Sequence, residues 1–350
     1  MRLKTFRSMQ LKILLVTIIG LITFSSTYGF ERIRWKVQSV FGVNFLKKMG
    51  IDIQNKINDL SEGKIRFKFY EPNSVVPNTE IITGVGQGQL DAAVSMPAYH
   101  ANKIPALSFF HGVPFGPGFI EYTAWMRYGG GQELKNRIYS DLGIITIDCF
   151  MFAPETAGWF KSKFNRIEEL KGKNIRIAGI GAKVFNKLGI KTKLLTGRDI
   201  MPAFEKGVID AAEMTSPDRD ILFGFYKVAK YNYYPGWFQQ TSPGELIINQ
   251  KKWKEISTTI KAIIQTSCES IYLSTAIMTN AIQPDAMQEL KKKGVIFKTL
   301  EDSELDKFKK AWLELAEEES AKDPLFAEVY ASYKVFREKY AIWGDRAYLK

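Results

Sequence analysis

Gly88-Gln89-Leu90-Asp91-Ala92-Ala93 is answered, 119 positions later, by Gly207-Val208-Ile209-Asp210-Ala211-Ala212. Each copy follows an amphipathic run, Ile81-Ile82-Thr83-Gly84-Val85 in the first case and Ile200-Met201-Pro202-Ala203-Phe204 in the second. The pattern reads as a helix that stops at a glycine and turns into a short strand of small residues. Glycine suits the left-handed cap that ends a helix. Small residues in a strand let another group come close to the backbone. Two such units point to two lobes that bring similar strand ends to a shared cleft. Chance likeness between two ordinary αβ units is the competing reading, because one short phrase is thin evidence of repetition.

Working outward, the rest of the chain supports an α/β design. Arg34–Val40 and Ile65–Tyr70 alternate as strands do. Between them, apolar residues at 45, 46, 49, 53, 57 and 60 keep helical spacing and predict one helix over Asn44–Leu60. Helix Thr79–Gln87 and strand Leu90–Ser95 complete a strand–helix rhythm typical of crossover units. Gly112–Gly118, with two prolines, is a loop; Tyr122–Ile138 is predicted helical and Ile144–Phe152 a strand that crosses towards a second lobe. A short helix over Arg166–Gly172, a strand at Asn174–Ala178, a dense aromatic turn over Tyr231–Trp237 and a return strand at Leu246–Asn249 follow. From Lys252 the chain reads as mostly helical to Tyr340. The expected divisions are 1–29, a leader; 30–150, a first α/β lobe; 151–250, a second; and 251–350, a helical region packing across both.

The leader is a secretory signal by its order of features. Arg2, Lys4, Arg7 and Lys12 precede and enter an apolar run from Leu11 to Phe24, and the small residues Ser25, Ser26, Thr27 and Gly29 follow. The apolar run falls short of the ~20 residues a spanning helix needs. Cleavage after Gly29 and export to the periplasm are therefore expected. Removing the four basic residues of the leader takes the formal charge from +12 to +8. Lysines and acids are interleaved, as in Glu301-Asp302-Ser303-Glu304 followed by Lys307, Lys309 and Lys310, which gives a solvated surface and argues against a nucleic-acid partner. Cys149 and Cys268 could pair in an exported protein or stand as two separate buried thiols. The two histidines, His100 and His111, with no Cys/His cluster, make a zinc site improbable.

Catalytic motifs are missing. There is no Gly-x-Ser-x-Gly elbow and no phosphate-binding glycine loop, and two histidines give a nucleophilic relay little material. Arg176 is the sharpest candidate, flanked by Ile175 and Ile177 in a short strand. An arginine there is costly unless paired or bound to an anion, and its planar fork matches a carboxylate. It could equally face water on an alternating strand. Glu213 closes the second Asp-Ala-Ala strand, where it could meet a cation, a ligand hydroxyl or an arginine.

Several runs together carry a resemblance. Gly158-Trp159-Phe160, Leu170-Lys171-Gly172-Lys173-Asn174-Ile175-Arg176, Gly207–Glu213, Gly224–Tyr231 and Tyr234-Pro235-Gly236-Trp237 are similar to the DctP-type solute-binding proteins of TRAP transporters. The nearest likeness is to the branch that binds 2-oxo acids and related monocarboxylates. In the first lobe, Tyr99 and Val113-Pro114-Phe115-Gly116 agree. The resemblance implies a two-lobed periplasmic binding protein of the type II kind, with a hinge cleft and long C-terminal helices. It implies an organic carboxylate as ligand, delivery to TRAP membrane subunits, and a homodimer through the C-terminal helix. It places substrate contacts on Tyr99, Glu155, Arg176, Met214 and Gln239, with Arg176 clamping the carboxylate. It also implies a monovalent or divalent cation, such as sodium, beside the substrate on Glu213, Met214 and Gln239. Three departures stand out: Glu155 where the family has a glutamine, Met214 where it has a tryptophan, and Gln240 where it tends to have proline. Glu155 could neutralise the clamp or serve a ligand hydroxyl or amino group. An enzyme acting on a small carboxylate on the same scaffold is the alternative function.

Overall fold

Eleven strands and the helices between them are described by a computed structural model covering residues 32–195 and 197–347. The expected leader lies outside these residues. The chain divides into Met1–Ile33 and Arg34–Lys350, and the account below concerns the second unit. The strands are β1 (Ile33–Ser39), β2 (Ile65–Tyr70), β3 (Ala92–Ser95), β4 (Ile144–Phe152), β5 (Gly158–Phe160), β6 (Asn174–Arg176), β7 (Lys191–Lys193), β8 (Ala211–Ala212), β9 (Tyr231–Tyr234), β10 (Ser242–Asn249) and β11 (Ile296–Thr299). They form two sheets, ordered β2-β1-β3-β10-β4 and β11-β9-β5-β8-β6-β7.

Both Asp-Ala-Ala strands run in parallel beside the strand two before them in the chain. β3 pairs with β1, placing Val37 opposite Ala92, and β8 pairs with β6, placing Arg176 opposite Ala212. Their glycines take the same left-handed conformation, φ +79° at Gly88 and +70° at Gly207. The aspartates also do the same work. Asp91 accepts from the Lys36 backbone N–H at 2.8 Å, and Asp210 accepts from the Asn174 N–H at 2.9 Å. The repeated phrase is thus a repeated device: a glycine turn, a carboxylate locking the neighbouring strand, and two alanines in the sheet.

Breaks in two predicted helices come from local residues. Asn44–Leu60 divides into Val43–Lys48 and Ile53–Leu60, because Gly50 takes φ +67° and the Asp52 carboxylate caps the second helix at the Asn55 N–H. Tyr122–Ile138 divides into Phe119–Tyr128 and Gly131–Ser140 at Gly129-Gly130, where Gly130 takes φ +87°. A periodicity count passes over such breaks, since apolar spacing resumes in phase beyond them. The aromatic segment 231–237 holds a strand, β9, followed by a cis Tyr234–Pro235 bond. The return strand is longer than predicted and lies in the first sheet, between β3 and β4. The 151–250 stretch therefore leaves the second sheet after β9 and ends in the first.

Cys149 and Cys268 are joined in a disulfide, so the reading of two separate thiols gives way to pairing. β4 and the Thr258–Ala281 helix pack side by side, with the Thr275 hydroxyl accepting from the Met151 N–H at 3.0 Å, and this contact brings the two sulfurs together. The last two helices, Asp302–Lys322 and Pro324–Ala347, touch both halves of the unit. Phe308 meets Phe185 on the second-sheet side, while Phe326 and Tyr330 meet Phe109 on the first. Among the described residues no helix is long and apolar enough to cross a membrane.

Candidate functional site

Two segments cross between the sheets, 153–157 and 235–241, and they run against each other. The Glu155 N–H donates to the Gln239 carbonyl at 3.2 Å, and the Phe115 N–H to the Trp237 carbonyl at 2.6 Å. A side chain at Gly236 would stand 2.1 Å from the Glu155 carbonyl oxygen, so only glycine permits this approach. The crossing brings Glu155 and Gln239 together at the base of the cleft, where the Gln239 amide donates to Glu155 Oε1 at 2.8 Å and to the Ser242 hydroxyl at 2.6 Å.

Arg176 lies inside the protein, 7% exposed, which decides against the outward-facing reading. The parallel pairing of β6 and β8 places it beside Glu213, and its Nη1 donates to the Glu213 carboxylate at 3.1 Å as well as to the Glu213 carbonyl. Its Nε donates to the Leu195 carbonyl at 3.2 Å. The Glu213 carboxylate also accepts from the Ala178 N–H at 3.4 Å, where the Gly179–Lys187 helix begins. A buried ion pair gains little net stability, because desolvation offsets the attraction. Its use here is to hold a guanidinium at fixed orientation beside the cleft.

Glu155 faces Glu213 and Gln239. Burial, reinforced by the facing Glu213 carboxylate, pushes its carboxyl well above the usual carboxylate range. Its Oε2 is buried with no hydrogen-bond partner. Tyr99, 40% exposed, meets Phe41 edge-on at 6.3 Å. Burial raises its phenol, and the Arg176 guanidinium pulls the other way. Phe41 in turn meets Phe150 and Phe152 at the end of β4, so the first lobe offers an aromatic wall. Met214 is half-buried against the second-lobe core around Trp159, Phe204 and Phe225.

Sequence reasoning missed Arg219 and Asp220, on the Pro217–Phe223 helix that follows Glu213. Arg219 is 5% exposed, its guanidinium 4.1 Å from the centre of the Phe152 ring, and it donates to the Ser216 hydroxyl from Nε at 3.1 Å and Nη2 at 2.8 Å. Asp220 accepts from the Trp159 indole at 2.6 Å. Burial pushes its carboxyl up to about 8, against the opposing pull of that hydrogen bond and of Arg219. The available signal was Asp218-Arg219-Asp220 itself, three charges opening a helix beside the second Asp-Ala-Ala copy.

A cleft between two sheets, with aromatics from one and a fixed arginine from the other, suits capture of a small anion. The sequence profile of the DctP family, described as bacterial extracellular solute-binding protein family 7, matches residues 46–323. The chain belongs to that family. A relative from Nostoc, a monocarboxylate 2-oxoacid-binding periplasmic protein, is 26% identical over 323 residues, covering 92% of this chain and 89% of the relative. A TRAP solute-binding protein from Bordetella bronchiseptica, crystallised as a mixed-occupancy dimer with calcium and picolinate, superposes with a TM-score of 0.85 at 28% identity, covering 91% and 95% of the two chains. One from Colwellia psychrerythraea, with calcium and pyruvate, gives 0.84 at 28% identity over 91% and 99%. One from Pseudoalteromonas atlantica, with sodium and pyruvate, gives 0.82 at 26% over 91% and 97%. The two-lobed DctP fold and a solute-binding role follow, in line with the resemblance read from Gly158 to Trp237.

Proposed function

We propose that this chain is the periplasmic receptor of a TRAP transporter, exported with a cleavable leader, and that it captures a small organic carboxylate between its lobes. The observation that carries this reading is Arg176, buried and oriented by Glu213 and the Leu195 carbonyl at the cleft. The ligand carboxylate meets the guanidinium, which can offer two parallel donors to a planar anion. Tyr99 closes over it from the first lobe, with Met214 and Gln239 bounding the remainder. Loaded receptor then passes its cargo to membrane subunits. Relatives that hold pyruvate or picolinate support the class of ligand. The site offers no nucleophile–base relay, which favours binding without conversion over an enzyme on the same scaffold.

A cation beside the ligand fits the donors present. Gln239 commits its amide nitrogen to Glu155 and Ser242, which leaves its oxygen for a cation, and Glu213 supplies a buried carboxylate. Such oxygen donors suit sodium or calcium. Met214 would contribute only its carbonyl, since a thioether is a poor partner for a hard cation. Among the described residues no group of three or more His, Cys, Asp or Glu could hold a metal, so ligand oxygens would complete the shell. Calcium or sodium beside the ligand in the relatives agrees with this arrangement. A homodimer through the last helix would cover Val335, Ile342 and Trp343, which are 65–68% exposed.

A thermal-shift panel of small carboxylates, with and without calcium or sodium, tests the reading. Stabilisation by at least one carboxylate, enhanced by a cation, is expected. A flat response across the panel would contradict it.

A further inference from the structure

Besides the two crossing segments, a third connection joins the halves of the unit, and it is helical. The Thr258–Ala281 helix belongs to the first-sheet side, tied to β4 by the Cys149–Cys268 disulfide and the Thr275 hydroxyl. The next helix, Gln283–Lys292, belongs to the second-sheet side. Its Leu290 sits in the core around Trp159 and Phe225, and it leads into β11, which pairs with β9. Ile282 alone separates the two helices, ending one and starting the other. Hinges fall at such element ends.

Gln283, the first residue past this joint, commits its whole amide to both sides of it. Its Nε2 donates to the Thr279 carbonyl at 2.5 Å, in the last turn of the first-side helix, and to Asp218 Oδ1 at 2.7 Å, in the first turn of the Pro217–Phe223 helix. Its Oε1 accepts from the Asp218 N–H at 3.2 Å. Helix ends leave carbonyls and N–H groups without partners inside the helix, and one glutamine here serves an end of each. Asp218 carries the tie onward. It accepts from the Ser216 hydroxyl at 2.6 Å, and that hydroxyl accepts from Arg219 at 2.8 and 3.1 Å. The Arg219 guanidinium lies 4.1 Å from the centre of the Phe152 ring, at the end of β4 where the 153–157 crossing starts. One residue before Ser216, the Thr215 carbonyl accepts from the Thr156 N–H of that crossing at 3.2 Å. The segment 213–216, which carries Glu213 and Met214, is thus fastened to two of the three connections, and Arg176 holds its start through the Glu213 carbonyl.

We propose that Gln283 is a positioning residue for capture: by fastening the helical joint to Asp218, it keeps the 213–216 segment in step with closure of the lobes. Without this tie the segment and the joint move separately, the loaded form opens more readily, and the ligand leaves faster. The inference rests on the proposed carboxylate capture and adds a part that acts through Asp218 and Ser216 rather than by touching the ligand.

The test uses the mature receptor with calcium and the tightest binder among pyruvate, 2-oxobutyrate, lactate and picolinate, followed by calorimetry and stopped-flow tryptophan fluorescence. Gln283→Met keeps the side-chain length and loses the amide. It should weaken binding about tenfold, the worth of one charge-assisted hydrogen bond. The dissociation rate should carry that change, with association altered less than about twofold. Gln283→Glu sets a second carboxylate against Asp218 and should weaken binding further. Adding Asp218→Asn restores a donor–acceptor pair and should recover most of the loss. Thermal melting checks that each variant folds; a residue with only a structural role would lower the melting temperature and leave the dissociation rate of the folded protein unchanged. Unchanged affinity in Gln283→Met, a loss carried by association alone, or no recovery in the double variant overturns the inference and leaves carboxylate capture standing. Wild-type protein that binds none of the four probes overturns both.

Discussion

The two Gly-x-x-Asp-Ala-Ala copies have one backbone and two fates. In each, a left-handed glycine ends the turn and an aspartate holds the N–H of the neighbouring strand. Beyond the alanines they diverge. The first copy continues to Ser95, whose hydroxyl lies 3.0 Å from His100 Nε2, and ends in a closed interior. The second continues to Glu213, which turns to Arg176 at the cleft. The buried charges of the two lobes differ in the same way. In the first, Lys135 pairs with Glu245 at 2.8 Å, and the Tyr139 and Thr146 hydroxyls donate to the same carboxylate, so each Glu245 oxygen is engaged. In the second, Glu155 Oε2 and Asp220 Oδ1 are left without partners. His100 Nδ1 in the first lobe is also without a partner, so the contrast lies in the carboxylates: both oxygens of Glu245 are engaged, and one oxygen each of Glu155 and Asp220 is not.

This contrast can be broken by mutation. The largest expected effect on stability is in the first lobe. Replacing both Cys149 and Cys268 by alanine opens a loop spanning 119 residues and should cost about 2–5 kcal/mol by denaturant titration, with ligand affinity unchanged. Next come the paired aspartates. Asp91→Ala and Asp210→Ala should each cost about 1 kcal/mol, but only Asp210→Ala should also weaken ligand binding, because its strand carries Glu213. Equal effects of the two variants on affinity would dissolve the division of labour. The smallest expected effect is Gly207→Ala, where a methyl group meets no atom within 4 Å and only the backbone conformation resists, at about 1 kcal/mol. Gly88→Ala should match it.

A pH experiment sharpens the second-lobe picture. Asp220 holds its proton to about pH 8 in the folded state, against an ordinary value of 3.8. Between those values the folded chain keeps a proton that the unfolded chain releases, so this group's contribution falls as pH rises from about 4 to about 8. Asp220→Asn keeps a carbonyl for the Trp159 indole and removes the titration. Its melting temperature should gain on wild type as pH rises through that window. A difference independent of pH would show that Asp220 is not protonated in the fold.

Much of this was legible in the chain. The repeated phrase gave both strand ends, and Arg176 between two isoleucines left two readings open, buried and paired or turned to water, of which the fold shows the first. What escaped depends on contacts remote in sequence. Glu155 and Gln239 meet only because two crossing segments run together past Gly236, and nothing near either residue signals it. Arg219 stands in a run of three charges at a helix start, which by itself carries no sign of burial, and its guanidinium lies over Phe152 in the other lobe. Cys149 and Cys268 lie in unrelated elements, so their pairing needed the packing of β4 against the Thr258–Ala281 helix.

The account stands most directly on Arg176 as the carboxylate clamp. Arg176→Lys keeps a positive charge beside Glu213 but loses the planar fork. Calorimetry of wild type and this variant against the tightest-binding carboxylate should show a loss of about a hundredfold or more, with the melting temperature nearly retained. Wild-type affinity in Arg176→Lys would contradict the clamp and the function built on it.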